Sequence, residues 1–341
     1  MSEPNAAWPL GTVTVLGAHI LDVLGRPVET IPPGQGSVRL QEIRATAAGT
    51  AAGTGVDLAK LGARVLAAGA LGDDLLGDIV IAAMAGHGVD TAGLVRKKGA
   101  QTSATILPIR PNGDRPAFHV PGATRLFTRA DVDLERLPDS RALLIGAPDA
   151  LAGLTGEELA DIARAARSNG TLVAVDVLHP GRPEDLDKLA PLLAVTDWFL
   201  PNADQLLALT GRRDLGPAIK DVIALGTTAV AVTCGAEGCQ VVWPDSGAPV
   251  HLPAIKVAVT DTTGCGDGFT AGLLAGLLAG ASAEDAAWLG LACGALVATG
   301  LGSDAGIEDL GQVLDFLERT QPAAAGRIRD RIKDRRSTSH E

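Results

Sequence analysis

Short apolar stretches alternate with longer amphipathic segments along most of the chain. The apolar stretches have the length and composition of buried strands: Thr12–Leu16, Arg64–Ala68, Ala142–Ile145, Leu172–Val175, Trp198–Leu200 and Val230–Thr233. The longer segments repeat apolar residues with helical spacing: Val56–Leu61, Leu75–Ala85, Glu157–Ala166, Ala203–Leu209 and Ala283–Thr299. A strand–helix–strand order implies right-handed crossovers and parallel strands, with helices on both faces of the sheet. The pattern therefore predicts an α/β fold with a doubly wound, mostly parallel sheet.

Two segments depart from this rhythm because they alternate apolar and polar residues with period two. They span residues 36–46 and 102–120, and the second contains an Asn112–Gly113 pair typical of a hairpin turn. Such alternation predicts strands with one face exposed to water. We interpret them as a small antiparallel sheet that projects from the main domain and closes over a ligand as a lid. Surface hairpins without such a role are the alternative.

Composition narrows the class of protein. The chain has 341 residues, 46% of them hydrophobic, which suits a compact globular protein with a sizeable core. Its formal net charge of −11 argues against a partner held through nucleic-acid phosphates. No apolar stretch approaches the roughly 20 residues that cross a bilayer, and the N-terminus lacks the pattern of a signal peptide. We therefore expect a cytoplasmic protein with no membrane or nucleic-acid partner.

Common nucleotide-binding motifs are missing from the sequence. It has no G-x-x-x-x-G-K-[ST] run, and no G-x-G-x-x-G follows its first strand, which argues against a P-loop and a dinucleotide site. The remaining candidate is VTDTTGCGDGFTAG, residues 259–272, in which glycines let a ligand approach the backbone. A helix that begins near Cys265 would direct unpaired N–H groups of Gly264, Cys265 and Gly266 at an anion.

Asp267 has two alternative roles in such a helix. In the first turn its carboxylate would interact favourably with the helix dipole, which is worth about 0.3–1 kcal/mol. Beside a bound phosphate, the same carboxylate could accept the proton of a hydroxyl that attacks the γ-phosphorus. The local sequence does not decide between these roles.

The run DTTGCGDGFTAG resembles the C-terminal signature of the ribokinase-like (PfkB) carbohydrate and nucleoside kinase family. The resemblance implies a three-layer α/β/α fold with a small β-sheet lid, and ATP and Mg²⁺ as cofactors. It implies that Asp267 is the catalytic base and that the amides of Gly264, Cys265 and Gly266 form the anion hole. It also implies one domain over residues 1–320, with lid strands inserted at about 20–46 and 100–126. Residues 321–341 remain as a basic C-terminal tail, which we expect to be a solvated last helix or a frayed terminus.

Two further segments resemble the nucleotide-binding parts of this family. The run VTCGAEGC is similar to the family's nucleotide loop, which implies that Thr233, Gly235 and Gly238 line the ATP phosphates and ribose. The run PNADQ resembles a segment that arranges magnesium and phosphate, and it implies a role for Asn202. The family's glutamate in that segment is replaced by Gln205, which has no charge to offer to the water shell of a metal. A strand-end turn and a helix N-cap are the structural alternatives.

Two segments near the N-terminus resemble the parts of the family that bind the acceptor. The run AAGTAAGTGVDLAKLGA resembles the family's Gly-Gly…Asn helix start, with Gly49 as the second glycine and Gly53 or Thr54 where asparagine is expected. The run GAHILDVLGRP implies that Asp22 binds two hydroxyl groups of the acceptor, although a turn residue would look similar. A missing asparagine means that one contact to a sugar is absent or replaced.

Three expectations concern the ligands and the assembly. Asp261 and Thr263, with carbonyl groups around residues 298–302, resemble the family's monovalent-cation site, which implies K⁺. The acceptor is expected to be a small sugar such as ribose, fructose or a sugar acid, because the chain has five Phe and no Tyr to stack on a nucleobase. A nucleoside kinase and a non-catalytic nucleotide or sugar sensor are the alternatives. Exposed apolar lid strands also favour a homodimer.

Overall fold

A computed structural model describes residues 10–136 and 139–338. In this part of the chain, nine strands form one large sheet with the order β13-β12-β11-β10-β9-β8-β1-β4-β5. Their bounds are β1 Thr12–Gly17, β4 Arg64–Gly72, β5 Asp90–Lys97, β8 Ala142–Gly146, β9 Leu172–Asp176, β10 Trp198–Phe199, β11 Ala229–Thr233, β12 Cys239–Val242 and β13 Val250–Leu252. The sheet is parallel from β5 to β11, and β12 and β13 extend it in antiparallel pairing.

Helices cover both faces of this sheet. Their bounds are α1 Thr50–Lys60, α2 Leu75–Gly86, α3 Gly156–Arg167, α4 Pro183–Leu193, α5 Ala203–Thr210, α6 Leu215–Ala224, α7 Cys265–Ala279, α8 Ala283–Val297, α9 Leu310–Glu318 and α10 Pro322–Thr338. Alternate strand residues belong to different cores: Ala142 and Leu144 pack with α1 and α7, whereas Leu143 and Ile145 pack with α3 and α4. The predicted doubly wound fold in three layers is therefore confirmed.

The strand order reverses at β1, which lies between β4 and β8. In an open parallel sheet, the crevice beyond the carboxyl ends at such a point is the usual ligand site. The two strand ends meet closely here, because a Cβ on Gly17 would lie 1.8 Å from the carbonyl oxygen of Gly146. Gly17 therefore has no room for a side chain. Glycine at Gly146 leaves space for the start of α1, because a Cβ there would lie 2.7 Å from the amide nitrogen of Ala51.

A separate four-stranded sheet, the lid, has the order β3-β2-β6-β7 and the bounds β2 Ile20–Arg26, β3 Glu42–Ala48, β6 Ala104–Pro108 and β7 Phe118–Val120. The pairs β2–β3 and β6–β7 are antiparallel as predicted, whereas β2 and β6 run parallel. The predicted strand over residues 36–46 begins only at Glu42.

The two faces of the lid differ in polarity, as the period-two alternation predicts. One face carries a polar row in cross-strand register, formed by Thr46, Asp22, Thr105 and His119. The other face exposes Ile43, Ile106 and Phe118 to solvent. The polar row follows the inner side of the lid, where Asp22 is 7% exposed.

Other elements were not anticipated from the pattern. These are the strands β5, β12 and β13 and the helices α4, α6 and α9. The basic tail forms the helix α10, which is one of the two forms expected for it, a solvated last helix or a frayed terminus. The alternating run Ile255–Thr260 is not a strand, and its main chain is irregular up to the start of α7. Among the described residues, no helix combines the length and the apolar character needed to cross a membrane.

Candidate active site

The start of α7 lies at the centre of the candidate site. Gly264 is the N-cap and has a φ of 79°, and a Cβ there would lie 2.4 Å from the Cα of Ser303. Both observations require glycine at this turn. The helix begins at Cys265, as the sequence predicts, so the N–H groups of its first turn have no partner within the helix. This geometry can bind an anion through the main chain.

Asp267 lies in that first turn and is half-buried. It lies next to Gly53 of α1 and close to Asp22 and Arg115 of the lid, and we call the space between α1, α7 and the lid the cleft. Burial raises the pKa of its carboxyl group to about 7, the negative charge of Asp22 raises it further, and the charge of Arg115 opposes the shift. A carboxyl group that titrates near neutral pH is suited to accept and release a proton. Asp267 is therefore equipped for more than an interaction with the helix dipole.

Asp22 faces the cleft from the lid. Burial raises the pKa of its carboxyl group to about 6, while a hydrogen bond from Thr105 and the charge of Arg115 lower it. The Thr105 hydroxyl also lies 3.1 Å from Nδ1 of His119, so the polar row continues across β6 to β7. The lid thus presents to the cleft a carboxyl group that already accepts one hydrogen bond, from Thr105.

The N-terminus of α1 forms the floor of the cleft. Gly49 has a φ of 87° as N-cap of the helix, and a Cβ there would lie 2.7 Å from the carbonyl oxygen of Ala18. A Cβ on Gly53 would lie 2.5 Å from Oδ2 of Asp267, so these residues are in direct contact. Thr54 is fully buried, and its hydroxyl donates to the carbonyl oxygen of Asp267 at 3.4 Å. Gly53 therefore lies against the side chain of Asp267, whereas Thr54 holds the main chain of α7 through its hydroxyl group.

The predicted nucleotide loop lies at the end of β11. Thr233 pairs with Asn202 in an isolated parallel bridge, so these two predicted residues are neighbours. Cys234 N donates to Gly238 O at 2.7 Å, which closes the loop. Gly238 has a φ of 98°, and its Cβ would lie 2.0 Å from Leu252 O, whereas Gly235 has a φ of 56° and open space around it. Gly235 thus leaves room for a ligand and Gly238 gives the loop its shape.

Gln205 has a structural role that its glutamate counterpart could not fill. Its Oε1 accepts from Asn202 N at 2.8 Å, and Asn202 Oδ1 accepts from Gln205 N at 2.9 Å, which together cap α5. Its Nε2 donates to the carbonyl oxygens of Val177 and Leu178 at 2.9 and 3.2 Å. A glutamate has no N–H for these two carbonyls. The amide of Gln205 is therefore committed to the protein.

Metal binding has little support from side chains alone. Among residues 10–136 and 139–338, no group of three His, Cys, Asp or Glu side chains is arranged to hold a metal ion. An Mg²⁺ ion commonly binds through substrate phosphates and keeps several of its waters, so it needs few protein ligands. The exposed Asp204 in the first turn of α5 is the acidic side chain nearest in sequence to Asn202.

Asp261 and Thr263 lie together beside the loop that follows α8. Asp261 Oδ1 accepts from the amide and hydroxyl of Thr263 at 3.0 and 2.8 Å, and Oδ2 accepts from Gly302 N at 3.0 Å. Both carboxylate oxygens are therefore already hydrogen-bonded. A monovalent cation at this loop would depend mainly on main-chain carbonyl groups.

Asp176 ends β9 next to the first turns of α7. Its Oδ2 accepts from the hydroxyl of Thr270 at 3.1 Å, and burial together with the charge of Asp267 raises the pKa of its carboxyl group well above the usual range. Arg182, in contrast, lies on the surface with its guanidinium 3.7 Å from Asp185. Asp176 thus belongs to the site and Arg182 to an ordinary surface ion pair.

A cavity of about 400 Å³ opens beside the polar row of the lid. Polar side chains line part of it: Ser103, His119, Thr124, Arg125, Asp149 and His179. Asp149 Oδ2 lies 3.0 Å from Nδ1 of His179, and this contact raises the pKa of His179. The volume suits a small molecule.

Several residues around the cleft could not be identified from the sequence. The motifs did not indicate Asp149 and His179, which line the cavity, or Thr105, which contacts Asp22 and His119. Arg115 had a weak signal, because it is a basic residue close to the predicted Asn112–Gly113 turn of the lid. Three residues on or beside the predicted lid, Phe118, Phe127 and His119, are the aromatic candidates for stacking on a nucleobase. Two of them lie away from the cavity, because Phe118 is on the outer face of the lid and Phe127 is fully buried in the core.

Comparisons with known proteins agree with this arrangement. Rice (Oryza sativa subsp. japonica) fructokinase-1 is 28% identical over 291 residues, which are 79% of this chain and 88% of the relative. An ATP-dependent ribose-1-phosphate kinase of Halopiger xanaduensis is 30% identical over 275 residues, 80% of this chain and 86% of the relative. The structure of Arabidopsis thaliana ribokinase complexed with ribose and ATP aligns with a TM-score of 0.77 at 23% identity, over 90% of this chain and 99% of the other.

The family assignment rests on most of the length of the chain. The sequence profile described as pfkB family carbohydrate kinase matches residues 11–310. This range contains the lid, the large sheet and the α7 signature. The chain therefore belongs to the pfkB family of carbohydrate kinases, which are phosphotransferases that act on an alcohol group.

Proposed function

We propose that this protein transfers the γ-phosphoryl group of ATP to a hydroxyl group of a small sugar, with Asp267 as the general base. The amides of Gly264, Cys265 and Gly266 form the anion hole for the transferred group in this proposal. The observation that carries it is the first turn of α7, where amides without a partner inside the helix and a carboxyl group with a pKa of about 7 lie side by side; of these amides, that of Cys265 makes a long contact, 3.4 Å, with the carbonyl oxygen of Thr262. Phosphoryl transfer depends chiefly on positioning and on stabilisation of charge, and this turn can supply both.

The nucleotide binds on the β11 side of α7 in this proposal. Thr233, Gly235 and Gly238 line its phosphates and ribose, and Asn202 is beside Thr233. Mg²⁺ supplies positive charge to the phosphate oxygens when it is bound with the nucleotide. The committed amide of Gln205 supports a role in holding Asn202 rather than in contacting a metal's waters.

The acceptor binds between the lid and α1. Asp22 accepts hydrogen bonds from two hydroxyl groups of the acceptor. Because Gly49 and Gly53 have no side chains, the sugar ring can lie close to the main chain of α1. The attacking hydroxyl gives its proton to Asp267 as its oxygen forms the new bond to phosphorus. The distal part of the acceptor extends into the cavity lined by His119 and His179.

A sugar is favoured over a nucleoside as the acceptor. Nucleobases are usually held by stacking on aromatic faces, and of the aromatic candidates on the lid only His119 lines the cavity. The Halopiger relative is a ribose-1-phosphate kinase and the rice relative is a fructokinase, so both sugars and sugar phosphates belong in a test.

The proposed function is tested by measuring ADP release against a panel of acceptors. We expect turnover with at least one of ribose, fructose, ribose 1-phosphate or a keto-deoxy sugar acid, and none with adenosine. Parallel assays with potassium and with sodium as the sole monovalent cation test whether the loop beside Asp261 binds a cation. Turnover on adenosine alone would favour a nucleoside kinase. Thermal shifts by ATP and sugars, without ADP release across the whole panel, would favour a sensor and contradict the proposal.

The acidic limb of the pH profile is expected near neutral pH. Asp267 must be ionised to act as a base, and the pKa of its carboxyl group is raised to about 7. Activity should therefore rise with pH and level off above that value, because protonated Asp267 cannot accept a proton. Below it, kcat/KM should fall about tenfold per pH unit, and more steeply below pH 6, where Asp22 also takes up a proton. The measurement is kcat/KM for the acceptor between pH 5 and pH 9.

Asp22→Asn tests whether Asp267 is the group that titrates in the acidic limb. The negative charge of Asp22 raises the pKa of Asp267, so Asp22→Asn should move the acidic limb to lower pH while it weakens acceptor binding. An acidic limb that stays in place in Asp22→Asn, or a wild-type profile flat from pH 5 to pH 9, would contradict the assignment of Asp267 as the titrating base.

A further inference from the structure

The loop between β6 and β7 holds two arginines in different environments. Its turn is closed by hydrogen bonds from Arg110 N to Asp114 O at 2.8 Å and from Gly113 N to Arg110 O at 2.9 Å. The guanidinium of Arg110 donates to Glu29 O at 2.9 Å, which ties the loop to the chain that follows β2. The turn is therefore closed by its main chain, and the two guanidinium groups point in different directions, that of Arg110 to Glu29 and that of Arg115 to Thr262.

Arg115 reaches from the lid to the loop that precedes α7. Its Nε donates to the hydroxyl of Thr262 at 3.3 Å, and the carbonyl oxygen of Thr262 accepts from the amide of Cys265 at 3.4 Å. Its charge lowers the pKa of Asp22 on the lid and of Asp267 on α7. The guanidinium therefore lies between the acceptor side and the phosphoryl side of the cleft.

The cleft holds several carboxyl groups before any nucleotide arrives, and each that ionises adds a negative charge. Asp22, Asp176, Asp261 and Asp267 surround it, and three of these side chains are less than a tenth exposed. The γ-phosphate of ATP adds further negative charge at the same place. Uncharged amides of α7 offset only part of this repulsion, whereas a guanidinium offers a full positive charge and several N–H donors.

We propose that Arg115 is a catalytic residue that donates hydrogen bonds to the oxygens of the γ-phosphoryl group as it is transferred. In this step the acceptor oxygen forms a bond to the γ-phosphorus, the bond from that phosphorus to the bridging oxygen of ADP breaks, and the hydroxyl proton passes to Asp267. Arg115 keeps all its protons and exchanges its contact with Thr262 for the phosphoryl oxygens. The inference rests on the proposed function, since it assigns a further group to the same transfer.

The test compares Arg115→Ala with Arg110→Ala, a matched change on the same loop. Arg115→Ala should lower kcat by at least ~10²-fold and leave the KM values for ATP and acceptor within about threefold, because its contacts strengthen in the transition state. Arg115→Lys should recover part of the loss, since it keeps the charge but not the fork of donors. Arg110→Ala should retain kcat within about threefold of wild type. Arg115→Ala should also shift the acidic limb of the pH profile upward, because the charge of Arg115 lowers the pKa of Asp267.

A second readout does not require turnover. The affinity for Mg²⁺, ADP and aluminium fluoride, which together mimic the transferring phosphoryl group, is measured by calorimetry for wild type and both variants. Arg115→Ala should weaken the affinity for this mimic by ~10²-fold more than it weakens the affinity for ADP alone, and Arg110→Ala should not. Equal affinities in the two variants, no binding in the wild type, or a raised KM for ATP with unchanged kcat would each overturn the inference. If the wild type releases no ADP with any acceptor, the proposed function fails, and the calorimetry still decides the role of Arg115.

Discussion

Replacement of Asp267 by asparagine is expected to lower kcat by ~10²–10⁴-fold, because the amide cannot accept the proton of the attacking hydroxyl. Asparagine has nearly the same shape and can still lie against Gly53, so the anion hole at the start of α7 should remain intact. The KM values for ATP and the acceptor should therefore change little. Steady-state kinetics on the acceptor identified by the panel measures this loss.

Thermal unfolding of the same variant separates catalysis from a structural role. Asp267 has a pKa of about 7 in the folded protein, above the ordinary value of a carboxyl group. The free energy of unfolding therefore decreases as the pH rises from the ordinary pKa of a carboxyl group through 7, and this loss is fully present at pH 8. Asp267→Asn removes it, so Tm at pH 8 should equal or exceed that of wild type.

A role limited to the helix dipole predicts the opposite pair of results. Asp267→Asn would then keep its turnover and lose about 0.3–1 kcal/mol of stability. Asp204→Asn is the matched control, because Asp204 is an exposed acid in the first turn of α5. That variant should show a small loss of stability and near wild-type turnover. If Asp267→Asn behaves like Asp204→Asn, its assignment as the base is wrong.

The features that sequence predicts best are those specified by neighbouring residues. Gly264 ends an irregular segment and starts α7 because its φ of 79° is one that favours glycine. The alternation in the lid likewise puts Asp22 on the inner face and Ile106 on the outer face, since the side chains of a strand alternate in direction. These properties are local, so one sequence is enough to read them.

Other features depend on contacts between distant parts of the chain. The parallel pairing of β2 with β6 cannot be read from period-two alternation, which is the same for parallel and antiparallel neighbours. Arg110 and Arg115 are both arginines near the same predicted turn, and the sequence does not distinguish them. Only the folded turn directs Arg110 to Glu29 and Arg115 to Thr262. Their different environments follow from tertiary structure.

The departures from the family pattern at Gln205 and Gly53 also acquire a physical meaning only in the fold. Gln205 looks like the loss of a charge, but its amide holds two carbonyl groups that a glutamate could not. Gly53 is one of the two positions, with Thr54, at which the family's asparagine is expected, and its missing side chain makes room for the carboxyl group of Asp267. Each change fits a contact that arises from a separate element of the fold.

Replacement of Gly53 by alanine is expected to lower kcat/KM by ~10²-fold, although alanine favours a helix more than glycine does. A Cβ at this position would lie 2.5 Å from Oδ2 and 3.0 Å from Cγ of Asp267. The atoms it meets belong to a side chain that can rotate, so α1 and α7 should stay packed while the carboxylate moves away from the acceptor. A displacement of about 1 Å at a reacting group can cost ~10²-fold in rate.

Gly53→Ala should therefore fold as well as wild type, with Tm unchanged or slightly raised, because alanine is favoured over glycine within a helix by up to ~1 kcal/mol. Gly216→Ala in α6 is the matched control, since its Cβ would have no neighbour within 4 Å. It should gain the same helix propensity without loss of turnover. Kinetics and thermal unfolding on both variants, with Gly53→Asn to introduce the residue typical of the family, measure the effect. Wild-type turnover in Gly53→Ala would mean that Asp267 does not need its present position, and the proposed geometry of proton transfer would then fail.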